Sequence, residues 1–464
     1  MFAIASAFII YFFLLFLIGF FALKKSSASN DFAMGKRSVN YWVTAISVQA
    51  SDMSGWLFMG YPALIYMGGL SKCWVAIGLS IGMFLTWQFI AKKIRIATEQ
   101  YNSVTISSYF EERFNDTSGL IRIVSALFCL LFFTFYISAG FVELGRLFES
   151  IVSIPYHIGI SIGVVVVFYT LLGGFVSMAW VDFFQGLFLL AVLMLVPFLA
   201  YLKIGGIQAI VLAAHNTHKN LDILPAWSLH SVKEIIFLAA EWGLGYFGLI
   251  HVLTKFMGID DVSKMRRAQY IGMTWQAIAL TCATLIGVIG IAYFPQGLAR
   301  SELVFVAMVK DLFSPFIAGF ILCAVIAAAI NVIGAQVLSS ASIIVEDFFK
   351  RIGSFSSRSL IYTSRLLVLG ICLLAYASAW TTTETIFSLV RYAWAGLGCT
   401  FGPLLLVCLY TKMTNRYAAL IGIIVGGCVG ALWSYAAIPA MIAGYCASLL
   451  SMLLVAGVAK IIAR

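Results

Sequence analysis

Two carboxylates stand inside long apolar runs, where an ionised acid is costly. The first lies in Val48-Gln49-Ala50-Ser51-Asp52-Met53-Ser54-Gly55-Trp56, which sets Asp52 among two hydroxyls, an amide and a glycine near mid-run. Serine and glycine there predict a break in the helix, whose freed carbonyls can coordinate a cation. The second lies in Glu241-Trp242-Gly243-Leu244-Gly245-Tyr246-Phe247-Gly248. Trp242 and Tyr246 are one helical turn apart, so they share a face and can clamp a small ligand. Glu241 sits ~10 Å deep in its run and needs a counter-charge, for which Arg391 and Lys255 are the candidates. A buried Glu–Arg brace and a titratable proton carrier are the two readings of this acid. A third acid, Glu143, has Arg146 close behind it on the same face, which predicts a local ion pair. It also lies two turns from Tyr136, which allows a cavity position. His251, just after the second break, reads as a hydrogen-bonded structural residue.

The elements that position these residues follow from composition. The chain has 464 residues, 62% of them hydrophobic and 10% charged, whereas soluble domains run to about half apolar and about a quarter charged. A soluble enzyme and a disordered chain are excluded. The apolar runs are unbroken, so helices rather than barrel strands are expected to span a membrane. Thirteen spans are predicted, at about 3–23, 41–68, 73–91, 121–149, 156–173, 177–202, 232–256, 268–294, 315–345, 359–379, 385–411, 417–437 and 440–461. Most of the 29 lysines and arginines fall in alternate loops, around Lys24, Lys92, Arg122, Lys264, Arg266, Arg351 and Lys412. That bias predicts an N-terminus outside and a C-terminus in the cytoplasm. It also absorbs the net charge of +10 without a nucleic-acid partner. The nine cysteines form no CxxC pair and read as packing thiols. No HExxH, GxSxG or P-loop is present, so enzyme chemistry is not expected.

The two glycine-interrupted spans are five helices apart. Such a pair, in corresponding places of two halves, points to an inverted-repeat transporter with its site between them. The repeats would be about 41–202 and 232–411, with the first helix peripheral and the last two, about 417–462, added. The expected fold is therefore an all-α polytopic membrane protein of about thirteen helices, with the second and seventh discontinuous.

Several segments carry a more specific signal. Ala50-Ser51-Asp52-Met53-Ser54-Gly55-Trp56 and Trp242-Gly243-Leu244-Gly245-Tyr246-Phe247-Gly248 resemble the sodium/solute symporter family, most closely its bacterial sodium/proline members. So do Gly145-Arg146-Leu147-Phe148-Glu149-Ser150, Tyr169-Thr170-Leu171-Leu172-Gly173-Gly174-Phe175, Ala393-Trp394-Ala395-Gly396 and Phe401-Gly402-Pro403, in order along nearly the whole chain. The resemblance implies a five-plus-five, LeuT-like core and import of a small amino acid, L-proline first, by alternating access in a bacterial inner membrane. It implies no bound cofactor beyond the coupling ion. By the same resemblance, Ala50 and Met53 match carbonyl ligands of sodium, with Ala328 a third. Asp52 and Asp182 match acids of the ion path. Ser54, Gly55 and Trp56 match the substrate site, which Tyr136, Trp242 and Tyr246 line.

The chain also departs from that pattern. The family places adjacent serine and threonine hydroxyls at the sodium site, where Asn331 and Val332 stand here. The amide oxygen of Asn331 can ligate sodium, and Val332 cannot. Glu143, Glu241 and Arg391 are charges at positions where the family has small or polar residues. Two couplings therefore stay open: sodium through the altered site, or proton-coupled or ion-independent transport using Glu241 and Glu143. A substrate sensor acting through a partner is a further alternative.

Overall fold

The computed structural model describes residues 2–25, 37–224, 228–349, 357–412, 415–433 and 438–462. Apolar residues on every side of each run leave helices as the way to satisfy the backbone within lipid, and the elements are helical almost throughout. In chain order they are α1 (Phe2–Lys25), α2 (Tyr41–Asp52), α3 (Gly60–Gly68), α4 (Leu70–Gln100) and α5 (Ile106–Arg113). Then come α6 (Leu120–Val152), α7 (Tyr156–Lys203), α8 (Ile207–Asn216), α9 (Leu229–Gly245), α10 (Ile250–Met257) and α11 (Met265–Tyr293). The last are α12 (Val304–Leu312), α13 (Pro315–Ile343), α14 (Ser357–Thr381), α15 (Ile386–Tyr410), α16 (Arg416–Leu432) and α17 (Ala440–Ile462).

The second predicted span is broken where serine and glycine predicted it. Helix α2 ends at Asp52, Met53 and Ser54 leave the helix, and a 3-10 turn over Gly55–Leu57 leads to α3. The Ser54 hydroxyl accepts from the Trp56 amide at 3.2 Å and so starts the new turn. The seventh span is broken too. A 3-10 turn over Tyr246–Gly248 and an extended Leu249 separate α9 from α10, which meet at a 49° bend.

The gap expected between the fifth and sixth spans is not marked by a non-helical residue. Helical backbone runs through Tyr156–Lys203, across the glycines where two spans were predicted to part. The chain still turns back within this element. Tyr156 bonds the Ala379 carbonyl, and Lys203 bonds Asp311, whose neighbour Lys310 reaches the Ser150 carbonyl. Both ends thus share one end of the bundle, while Phe175 packs on Gly258 at the other. The side chains of 165–174, and with them most of the Tyr169–Phe175 motif, lie outside the described residues, as do 350–356 with Arg351.

Among the described residues, seven helices are long and apolar enough to cross a membrane, and the α9–α10 pair makes an eighth. Shorter apolar helices include Arg365–Thr381 and Arg416–Leu432. The number thirteen is therefore not established, although helices stand at the predicted positions. Loops predicted to share a side do meet. Arg37 donates to Thr98, Ser103 and Met257, Arg122 pairs with Glu111 and Asp347, and Arg113 donates to the Thr411 carbonyl. At the opposite end Lys72 pairs with Glu234, Lys203 with Asp311 and Arg300 with Glu149. Close crossing of α4 and α9 needs small residues: a Cβ on Gly82 would strike the Gly243 backbone.

Candidate substrate and ion site

The two breaks face each other. Asp52, the last residue of α2, is buried, and its Oδ2 accepts from the Tyr246 hydroxyl at 2.6 Å. Gln276 on α11 donates to that same hydroxyl at 3.3 Å. Among the described residues, Asp52 Oδ1, Gln276 Oε1 and both polar atoms of Gln49 are buried without a partner. Buried oxygens left open beside unwound backbone are what a dehydrated cation needs.

Above this polar floor lies an aromatic stack. The Trp56 and Trp242 rings lie 5.6 Å apart and nearly parallel, and Trp394 on α15 stands 5.5 Å from Trp242. Tyr246 meets Trp394 edge-on at 5.0 Å, and Phe387 flanks Trp242 at 5.0 Å. The Trp394 indole N–H donates to the Trp242 carbonyl at 3.2 Å, a group freed as α9 unwinds. Gly245 makes room for this, since a Cβ there would collide with the Trp394 indole. Such a wall can bury the ring of a small half-apolar ligand.

The three unusual charges have distinct fates. Glu241 pairs with Arg391 at 2.5 Å, and Arg391 is half exposed in an open cavity with Ser388, Tyr392 and Trp433. Lys255 is not its partner. That ammonium lies on Asp182 at 2.7 Å, and Ser47 donates to the same oxygen at 3.0 Å, tying α10, α7 and α2 together. The structure thus fits the bracing reading of Glu241 and gives Asp182 a resident cation.

The Glu143–Arg146 pair expected from their spacing is absent. Arg146 reaches outward to Glu302 and to the Glu384 carbonyl. Glu143 is turned inward, with only 1% of its surface exposed, against the backbone of Gly55. It lines a narrow cavity with Ser54, Tyr136, Ala329, Val332 and Val390. His251 is buried, with both nitrogens unpartnered, and its ring lies 5.8 Å from Tyr136 and 5.9 Å from Phe133. The hydrogen bond expected of it is not made among the described residues; besides those rings it lines a small cavity with Thr254, Lys255, Ser339 and Ser342.

Helix α13 carries Ala328, Asn331 and Val332, all buried, and packs against α2 and the 3-10 turn. The Asn331 amide nitrogen has no partner among the described residues. Ala50 and Met53 are wholly buried on the α2 side.

A model of the sodium:solute symporter family matches residues 32–426. The chain belongs to the sodium:solute symporter family. It is 41% identical to the high-affinity proline transporter of Bacillus subtilis strain 168 over 450 residues, 95% of this chain and 94% of that one. It is also 41% identical to the osmoregulated proline transporter of the same organism, over 91% of this chain and 87% of that one. The sodium/proline symporter of Staphylococcus aureus strain JH9 is 35% identical over 91% of this chain and 84% of its own length. The structure of a substrate-bound, outward-open Na+-coupled sialic acid symporter superposes with a TM-score of 0.82 at 19% identity, covering 98% of both chains. A closed nucleobase-cation-symport-1 family transporter gives 0.56 at 15% identity over 94% of this chain and 96% of its own. At those identities the likeness is one of fold: this family member is a multi-pass, LeuT-like helical membrane protein.

Reading the sequence singled out both breaks, their aromatics and their acids. It missed Gln276 and the place of Phe387 in the stack. Gln276 left a signal, since an amide inside an apolar run is as anomalous as an acid. Phe387 left none, being one of 38 phenylalanines.

Proposed function

We propose that this chain carries L-proline, or another small amino acid of similar shape, into a bacterial cell by alternating access driven by sodium. The observation that carries this is 41% identity, over 95% of the chain, to a relative that bears the name of a proline transporter. The site suits that cargo. The stack of Trp56, Trp242 and Trp394 offers a surface for the pyrrolidine ring, and the amides freed at the α2 break suit a carboxylate. Tyr136 and Tyr246 complete the lining.

For sodium we propose the carbonyls of Ala50, Met53 and Ala328 with the amide oxygen of Asn331, and Asp52 as the acid of the path. Val332 contributes a methyl group where an oxygen would serve, so sodium affinity should be weak. The Glu241–Arg391 pair supports a brace, which is why sodium coupling is preferred to proton coupling through Glu241. We further propose that about 41–202 and 232–411 form inverted repeats, and that the end of the bundle bearing Arg37, Arg113 and Arg122 faces the cytoplasm.

Labelled proline uptake into proteoliposomes tests this with a sodium gradient, a proton gradient, or neither. Accumulation is expected with the sodium gradient and not with the other two. Accumulation on a proton gradient alone would replace the coupling, and no uptake under any gradient would sink the substrate.

A further inference from the structure

The buried acids of the core are nearly all answered. Asp182 has Lys255, Glu241 has Arg391, Asp347 has Arg122, and Asp52 has the Tyr246 hydroxyl. Among the described residues Glu143 has no such side-chain partner; a hydrogen bond from the Gly55 backbone amide is what answers it. It is 1% exposed, and its Oε1 has neither an ion pair nor a hydrogen bond among the described residues. Its one nearby arginine on the same helix is taken by Glu302. A carboxyl so placed is costly while ionised, and either holds a proton or is met by a positive group during the work of the protein.

The surroundings say which group. The cavity beside Glu143 has room for about one water molecule. Three oxygen-bearing side chains stand among its lining residues: Glu143, Tyr136, whose hydroxyl is buried without a partner among the described residues, and Ser54, whose hydroxyl already accepts from the Trp56 amide. The remaining lining is apolar, namely Ala139, Gly140, Ala329, Val332, Ile333 and Val390. A sodium ion wants about five or six oxygens, as a hard cation does. A secondary ammonium has two N–H donors and is satisfied by two acceptors in an otherwise apolar wall. The cavity also adjoins the ring surface: Trp56 follows Gly55, against which Glu143 packs, and Trp394 stands one turn along α15 from Val390.

We propose that Glu143 is a specificity residue of the substrate site, and that its carboxylate accepts the ammonium of the transported amino acid beside Tyr136. This rests on the amino-acid reading above. It assigns to α6 a charged contact that the family resemblance does not contain, since the family has a small or polar residue there.

The test compares labelled proline with tetrahydrofuran-2-carboxylate, which puts an ether oxygen where proline has its ring ammonium. Half-saturation for proline and inhibition by the ether are measured in proteoliposomes. Wild type should prefer proline strongly. Glu143→Gln should raise the proline half-saturation about 10- to 100-fold, the range of a hydrogen bond to a charged group, and bring the preference over the ether near unity. Glu143→Asp should recover part of both. Unchanged proline half-saturation or unchanged preference in Glu143→Gln overturns the assignment, and so does a change confined to the sodium half-saturation. If Glu143→Gln does not fold, Glu143→Asp decides: proline must weaken more than the ether, and an equal shift overturns the proposal. Absence of amino-acid uptake in wild type would instead remove the transport reading, and this assignment with it.

Discussion

Single residues carry the coupling chemistry, and the Tyr246–Asp52 hydrogen bond is where it concentrates. It joins the last residue of α2 to the unwound end of α9, across 2.6 Å. Tyr246→Phe removes the donor and leaves a buried carboxylate oxygen open. A hydrogen bond to a charged group is worth about 1.5–3 kcal/mol, so the sodium half-saturation for proline uptake should shift by about tenfold or more, while the protein still reaches the membrane. Val332→Thr works in the opposite sense. It puts a hydroxyl on α13 at the position the family uses for sodium, and sodium should then saturate uptake at a lower concentration. A sodium titration of uptake reads both variants, and no shift in Val332→Thr would remove position 332 from the ion site.

At the scale of elements, the broken helices are held by contacts that cross between them. Lys255 on α10 and Asp182 on α7 form a pair with almost no exposed surface. Removing one partner of such a pair strands the other, at about 3–5 kcal/mol. Asp182→Asn should therefore lower the unfolding temperature in detergent, and Asp182→Asn with Lys255→Met should recover part of the loss. Additive losses would show that the two do not act together. Gly245→Ala tests the aromatic stack. Its methyl group meets the Trp394 indole, so Trp394 must leave its place, and proline half-saturation should rise with little change in expression. Wild-type half-saturation in that variant would mean that the stack does not line the substrate path.

At the scale of the whole molecule, charge sets orientation. Lys412→Cys, near Arg113 at the basic end, should react with an impermeant thiol reagent only after permeabilisation. Lys219→Cys, at the opposite end beside Met67, should react in intact cells. The reverse pattern would invert the assigned topology. Exposed apolar residues such as Leu229, Leu366, Leu432, Leu454 and Ile461 lie on outward-facing helices, as a lipid-facing surface requires.

Membrane class, helical content and the two break points were legible in the sequence, because each is a local conflict with hydrocarbon: polar groups and glycines stand out in apolar runs. The sequence also marked Asp52, Glu241 and Glu143 as anomalies. Their partners were decided only by tertiary structure. Glu241 meets Arg391, 150 residues away, because α9 and α15 cross at the site. Glu143 and Arg146 are neighbours by spacing yet part company. Arg146 is one turn nearer the polar end and finds Glu302 there, while Glu143 faces the unwound Gly55.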